Sequence, residues 1–334
     1  MMSRPSSLWH REGLLVSVKK DPPWWVSHAQ LPTVLPLSDR LWRVYFGARD
    51  RDNRTRILAV DLDPGEGMRI LAEHVDALLD RGLPGAFDHE GVIPSAVLEV
   101  DGHVRLYYIG VTVRRDVRRQ SSIGLAVSDD GLSFRKQFAG PVHGTGPFDS
   151  YFNSAPVVRR NSDGYRMWYV GGTEWRQVNG TLEPFYEIRT TRSTDGLIWD
   201  VRSENAVSHQ PSWVTGLGRP WIVDNHDGQR LWFSRRGNAY RTPGDNAYRL
   251  MSIRVDERGA SFGSAEPLVF DNPSAAGDFD SWMQAYACVI PHGEDLIMFY
   301  NGDGFGKTGF GWARLRGGRG SAERLDGTPA SPAG

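Results

Sequence analysis

Three consecutive residues, Asp88, His89 and Glu90, place two carboxyl groups and an imidazole directly before an apolar run, Val92-Ile93-Pro94-Ser95-Ala96-Val97. Two carboxyl groups flanking a glycosidic bond can cleave it: one protonates the leaving oxygen while the other serves as base or nucleophile. Asp88 and Glu90 are the first candidates for this work, with Glu174 and Glu187 next, and His89 could act as base or orient the substrate. Residues suited to binding are His28, Gln30, Arg49, Asp50, Tyr151, Asn153, Trp175, Arg219, Arg235, Gln284, Tyr286, Asn301 and Asp303. Arg and Asn would fix hydroxyls or a carboxylate, and Trp faces would stack on sugar rings. Against this stands a simpler role for Asp50, Asp52 and Asp303 as turn caps, because an Asp side chain readily accepts from nearby backbone N–H groups.

What could gather residues so far apart in the chain is an internal repeat. An aromatic-rich run recurs at Trp42–Gly47, Arg105–Gly110, Arg166–Gly171, Arg230–Ser234 and Leu296–Tyr300. With Tyr45, Tyr107, Trp168, Trp232 and Met298 taken as equivalent, the steps are 62, 61, 64 and 66 residues. Each copy is preceded by an apolar run that often carries proline, across a polar turn such as Asp101-Gly102 or Asp163-Gly164, and is followed by a third run. Two copies end in a shared turn, Ser128–Phe134 and Ser193–Trp199, in which Asp and Gly form the corner and the aromatic anchors it. This grammar, without a long amphipathic helix, predicts an all-β fold: a five-bladed β-propeller of four-stranded antiparallel blades around a central channel.

In such a ring the first strand of each blade lines the channel. Residues just before the first strands, and in the loops after the second strands, then share one mouth. The first group holds His28, Gln30, Asp88, His89, Glu90, Tyr151, Asn153, Arg219, Gln284 and Tyr286. The second holds Arg49, Asp50, Asp52, Glu174, Trp175, Arg235, Arg236, Asn301 and Asp303, with Glu187 opening the third strand of blade three. One domain over 1–316 is expected, with Leu14–Val18 closing the last blade and a disordered tail at 317–334.

Composition narrows the partners. The formal net charge of −1 leaves no overall surplus of positive charge for nucleic acid, and the local run Arg114, Arg115, Arg118 and Arg119 reads as a solvated loop rather than a phosphate site. Cys288 is the single cysteine, so no internal disulfide and no cysteine-based zinc site can form. Neither a signal-peptide core nor an apolar stretch of membrane-spanning length is present, so the expected location is cytoplasmic, with no membrane partner, no metal and no cofactor. Gly306-Lys307-Thr308 lacks the first glycine of a phosphate-binding loop and precedes a strand-like run, which makes it a hairpin loop.

The repeat spacing, the Ser-x-Asp-Gly turns and the strand-start segments resemble the five-bladed propeller glycosidases of glycoside hydrolase families 32, 43 and 130. Ser27–Pro32, Tyr45–Asp50 and Tyr300–Gly311 are similar to uncharacterised bacterial glycosidase-like proteins of polysaccharide or natural-product pathways, over roughly Trp24 to Leu315. The resemblance implies an Asp at the start of the first blade, where this chain has His28 and Gln30, and a Glu at the start of the third, where it has Tyr151-Phe152-Asn153-Ser154. Asp88 or Glu90 would match the second-blade Asp, and Glu174 or Glu187 would have to stand in for the missing acid. Three expectations follow: a glycosidase-like enzyme on a sugar or glycosylated small molecule, a diverged biosynthetic enzyme with His28 or His89 as base, or a carbohydrate-binding propeller without catalysis.

Overall fold

The computed structural model describes residues 8–20, 22–209, 212–225 and 228–318. Its strands form five blades in chain order. Blade 1 holds Ser27–Ser38, Leu41–Arg49, Thr55–Asp63 and Arg69–Leu79. Blade 2 holds Gly91–Val100, His103–Thr112, Gln120–Ser128 and the short Arg135–Lys136. Blade 3 holds Asn153–Asn161, the long hairpin Gly164–Val178 with Thr181–Ser193, and Glu204–Val207. Blade 4 holds Gly216–Asn225, Gly228–Arg236, Arg249–Val255 and Ser261–Pro267. Blade 5 takes Ala285–His292, Asp295–Asn301 and Gly309–Leu315 from the end of the chain and its outermost strand, His10–Ser17, from the beginning. That antiparallel pairing, Leu14 opposite Gly311, ties the two ends of the chain together in one sheet. Gly317 lies in a turn whose amide donates to Asp295, and the remainder of the expected tail, 319–334, is outside the described residues.

Strand pairing refines one equivalence. Val157 faces Trp168, Trp221 faces Trp232, and Cys288 faces Phe299, so Phe299, and not Met298, is the fifth member of the repeat. Every inner strand then carries the same bulge, in which two residues oppose one aromatic. The pairs are Leu31-Pro32, Pro94-Ser95, Ala155-Pro156, Arg219-Pro220 and Tyr286-Ala287, opposite Phe46, Tyr108, Tyr169, Phe233 and Tyr300. Leu31, Ala155, Arg219 and Tyr286 take positive φ there, between 44° and 62°. Pro94 in blade 2 cannot, because its ring fixes φ near −65°. The recurring prolines of the sequence are explained by these bulges, where a missing N–H costs no ladder bond.

Two further devices repeat. The shared turns latch neighbouring blades: the Tyr45 hydroxyl donates to Gly131 O at 2.8 Å and Tyr107 to Gly196 O at 2.6 Å. Inside each turn the Asp accepts from two backbone amides, Asp130 from Leu132 and Ser133, Asp195 from Leu197 and Ile198. The second device is a buried strut. Asp88, Asp149 and Asp280, each just ahead of an inner strand, accept from the hydroxyls of Tyr108, Tyr169 and Tyr300 at 2.9, 2.9 and 2.7 Å. A cation completes each strut: Lys136 at 2.6 Å from Asp88, Arg189 at 3.1 Å from Asp149, and Arg11 Nε at 2.9 Å from Asp280. Blade 1 replaces the strut by Trp25 packed on Phe46, centroids 5.1 Å apart.

Burial works against ionisation of Asp61, Asp149 and Glu183, yet hydrogen bonds from Arg43 and His74, from Tyr169 and Arg189, and from Tyr240 and Arg241 hold their pKa values below normal. A carboxylate more acidic in the folded than in the unfolded chain stabilises above its unfolded pKa, near 4, and loses that contribution as pH falls further. Urea midpoints are therefore expected to drop steeply below about pH 4 and to change more gently in Asp61→Asn. Equal pH slopes in the two proteins would contradict this.

Candidate active site

The bulges set the floor of the channel mouth, because each turns a side chain out of the ladder. Leu31, Ala155 and Tyr286 join Ile93, Phe152 and Tyr186 in one apolar cluster. Arg219 lies deeper: its Nη2 reaches Pro32 O and Thr33 Oγ1 of blade 1, both at 3.1 Å. Blades 4 and 1 are not neighbours in the ring, so this side chain crosses the channel. It is 1% exposed, stacks on Trp221 at 5.2 Å, and is pushed by burial to a pKa of about 10.

Above the floor stands a continuous wall. Arg49 Nε donates to Gln30 Oε1 at 2.9 Å, and Gln30 Nε2 donates to Phe305 O at 3.0 Å. The Phe305 ring meets Tyr248 at 6.0 Å and Tyr240 at 6.1 Å, and Tyr248 meets Tyr286 at 5.5 Å. Behind them Tyr186 and Tyr248 share a hydroxyl–hydroxyl hydrogen bond, Arg236 Nε donates to Tyr186 at 2.9 Å, and Tyr240 donates to Glu183 at 2.8 Å. Arg241 pairs with the same Glu183 at 3.2 Å. Burial first, and then the nearby Tyr186, push the Tyr286 hydroxyl up to about 12. Burial first, and then the charge of Arg49, push His28 down to about 3, so it is neutral at physiological pH and too weak a base for the role the sequence left open to it.

Of the sequence candidates, His28, Gln30, Arg49 and Tyr286 belong to this wall and its floor. Others have different employment. Asp88, 1% exposed, is a strut whose Oδ2 is held by both Tyr108 and Lys136, and its burial leaves no open face for substrate. Asp50 accepts from the amides of Asp52 and Arg54, the turn cap weighed in the sequence. Asp303 accepts from the amides of Ser281, Trp282 and Met283. Asn301, fully buried, stitches Leu31 N and Ala29 O to the last blade. Asn153 holds Gly144 O, and Gln284 holds Asp280 O. Glu187 follows Tyr186, and alternation along the strand turns it to the face opposite the tyrosine network. Glu174 pairs with Arg176 in solvent, Trp175 packs on Phe152 at 5.9 Å, and Tyr151 is 39% exposed. Arg235 stacks on Trp213 at 4.4 Å and lines a separate cavity of about 410 Å³ with Asp245, Asn246 and Arg249. His89 and Glu90 remain half-buried at the mouth end of blade 2, with His89 Nε2 3.2 Å from Glu90 and Arg54 Nε 3.1 Å from it.

Sequence reasoning missed Tyr240, Arg241, Tyr248, Glu183 and Phe305, and it assigned Arg119 to a solvated loop. Arg119 is exposed, as that reading expects, yet it is near enough to the wall for its groups to act on it: burial lowers its pKa, Tyr286 counteracts, and Arg241 adds to the lowering. The signal was present. Arg119 lies in the loop after the second strand of blade 2, the one blade whose loop supplied no candidate, and Tyr240 to Tyr248 occupy the same loop of blade 4.

No family model matches the chain. It is 31% identical over 310 residues to the uncharacterized protein Rv1502 of Mycobacterium tuberculosis (strain ATCC 25618 / H37Rv), covering 92% of this chain and 99% of that one. A solved structure described as a glycoside hydrolase matches with a TM-score of 0.69 at 15% identity, over 92% of each chain. Another, from work on GH130 mannoside phosphorylases and glycoside hydrolases that target β-1,2 mannosidic linkages in Candida mannan, matches at 0.65 and 14% identity, over 93% of this chain and 95% of that one. A thermostable family-43 glycoside hydrolase matches at 0.57 and 15% identity, over 89% of this chain and 90% of that one. At such identities the likeness is one of fold.

Proposed function

We propose, from the premise that this chain belongs to one family with Rv1502 of Mycobacterium tuberculosis and carries the five-bladed propeller of the glycoside hydrolases, that its channel mouth takes a saccharide or glycosylated small molecule and cleaves or rearranges a glycosidic bond. One observation carries the reading. Tyr286, Tyr248 and Phe305 form an aromatic wall beside an Arg49 guanidinium fixed by Gln30, which pairs apolar ring faces with oriented donors as sugar recognition requires.

Proton transfer falls to Glu90 with His89. A carbonyl can only accept, so His89 Nδ1, 2.9 Å from Ala86 O, carries a proton and turns Nε2 to Glu90. A proton can then be shared between the imidazole and the carboxylate. Glu90→Gln is expected to lower turnover of a panel of p-nitrophenyl glycosides by about 10²- to 10⁴-fold with little change in KM. Undiminished turnover in that variant would remove Glu90 from the mechanism.

The second reading, a sugar-binding propeller without turnover, is favoured by how fully the neighbouring carboxylates are engaged, Asp50 and Asp303 by backbone amides and Glu183 by Tyr240 and Arg241. Saccharide binding with no release of nitrophenol from any member of the panel would select it.

A further inference from the structure

We propose that the ligand of this mouth is anionic, a saccharide bearing a carboxylate or phosphate ester, and that Arg49 and Arg119 hold that group. The inference rests on the saccharide reading and names the class within it.

Many arginines of the chain pair with acids, while others, such as Arg219 and Arg236, bond neutral groups deep in the fold. Arg11 pairs with Asp280, Arg40 with Asp63, Arg43 with Asp61, Arg54 with Glu90, Arg56 with Asp50 and Arg189 with Asp149. Arg241, at the edge of the same wall, has Glu183. Arg49 lies at the mouth and has no acid: among the described residues its side-chain hydrogen bond goes to Gln30, a neutral amide. Arg119 has no hydrogen bond or ion pair among the described residues.

Both cations belong to the mouth: Arg49 ends the second strand of blade 1, the exposed Arg119 lies in the loop after the second strand of blade 2, and the charge of Tyr286 acts on each. Burial lowers the pKa of each, and the charge of Arg119 lowers that of Arg49 further, to about 10. Partly desolvated like charges without a counter-ion destabilise one another, and an anion placed between them reverses the sign of that interaction. The site is also prepared for one. Gln30 is held at both ends of its amide, by Arg49 and by the Phe305 carbonyl, so the orientation of the Arg49 guanidinium is set before ligand arrives. A planar guanidinium matches an oxyanion with parallel hydrogen bonds. His28, neutral here, supplies no competing charge, and Lys307 adds a third positive one to the same side. The net charge of −1 over the whole chain makes this a local feature, scaled to one anionic group and not to a polyanion.

The test is isothermal titration calorimetry on the full chain with matched probes: glucose, galactose and mannose against glucuronate, galacturonate, glucose 6-phosphate and mannose 6-phosphate, with inorganic phosphate alone as a further arm. At least one acid or phosphate is expected to bind tenfold or more tightly than its neutral parent. Arg49→Gln and Arg119→Gln should each remove that advantage, while Arg119→Lys keeps part of it, with circular dichroism confirming that all three variants are folded. Equal affinity for a neutral sugar and its acid, or an advantage that survives both glutamine variants, overturns the inference and leaves the saccharide reading standing. Inorganic phosphate bound by the parent and lost in the variants, with no sugar binding, keeps the anion cradle and sinks the saccharide reading. Absence of binding by every anion overturns the inference as well.

Discussion

Asp280→Ala should lower the stability of the protein by about 3–5 kcal/mol, the cost of removing one partner from a buried ion pair. Asp280 is fully buried and accepts from Arg11 Nε at 2.9 Å and from the Tyr300 hydroxyl at 2.7 Å. Arg11 belongs to the strand contributed by the N-terminus, and Tyr300 to the second strand of the same blade. This carboxylate therefore fastens the strand that closes the ring, and its loss leaves a nearly buried guanidinium with the part-exposed Asp278, at 3.0 Å, as its remaining counter-charge. Tyr300→Phe removes a single hydrogen bond and should cost only about 1 kcal/mol. Urea unfolding of the two variants, read with limited proteolysis near the N-terminus, measures the difference. If Asp280→Ala unfolds no more readily than Tyr300→Phe, the closing strand is held by its backbone ladder, its apolar contacts and its bonds to Asp271, Asn272 and Asp278 rather than by Asp280.

The ring itself was legible because its signals are periodic. Five aromatic runs at near-constant spacing, with a proline in the run ahead of four of them, are properties of sequence order, and the repeat forces them into equivalent places. The bulge explains why an error of one residue arose in the last blade: Leu296-Ile297-Met298-Phe299-Tyr300 is apolar throughout, so composition could not fix the register that pairing of Cys288 with Phe299 defines. The candidate mouth was legible only where it borrowed from the repeat. His28, Gln30, Arg49 and Tyr286, which line it, stand out in the sequence by their position ahead of or after a strand. Tyr240, Tyr248 and Phe305 were not, because they come from loops that differ from blade to blade, and only the folded chain brings Phe305 within ring contact of both tyrosines. Asp303 and Asn301 illustrate the converse. Polar residues at the right end of the right strand satisfy backbone groups as readily as they bind substrate, and sequence position cannot separate the two uses.

Asp88 and Glu90 are two residues apart and were equal candidates on chemistry, so they give the sharpest division between structural and catalytic carboxylates. Asp88→Asn keeps an oxygen for the Tyr108 hydroxyl but leaves Lys136 without its ion-pair partner. Lys136 is a quarter exposed and can turn to water, so a loss of about 1–3 kcal/mol is expected from the altered hydrogen bonding. Per folded molecule, turnover should stay within about twofold of the parent, because a strut acts on the blade and not on the reacting bond. Glu90→Gln should behave in the opposite way. Its partner Arg54 is 38% exposed, so solvent screens the ion pair and its loss should hardly move the urea midpoint, while turnover falls by the factor given above. The measurement is a pair of numbers for each variant, urea midpoint and turnover normalised to folded protein. A collapse of turnover in Asp88→Asn at full folding would make Asp88 a participant in the chemistry, and the recurrence of its geometry at Asp149 and Asp280 would then be a scaffold reused at one blade for catalysis.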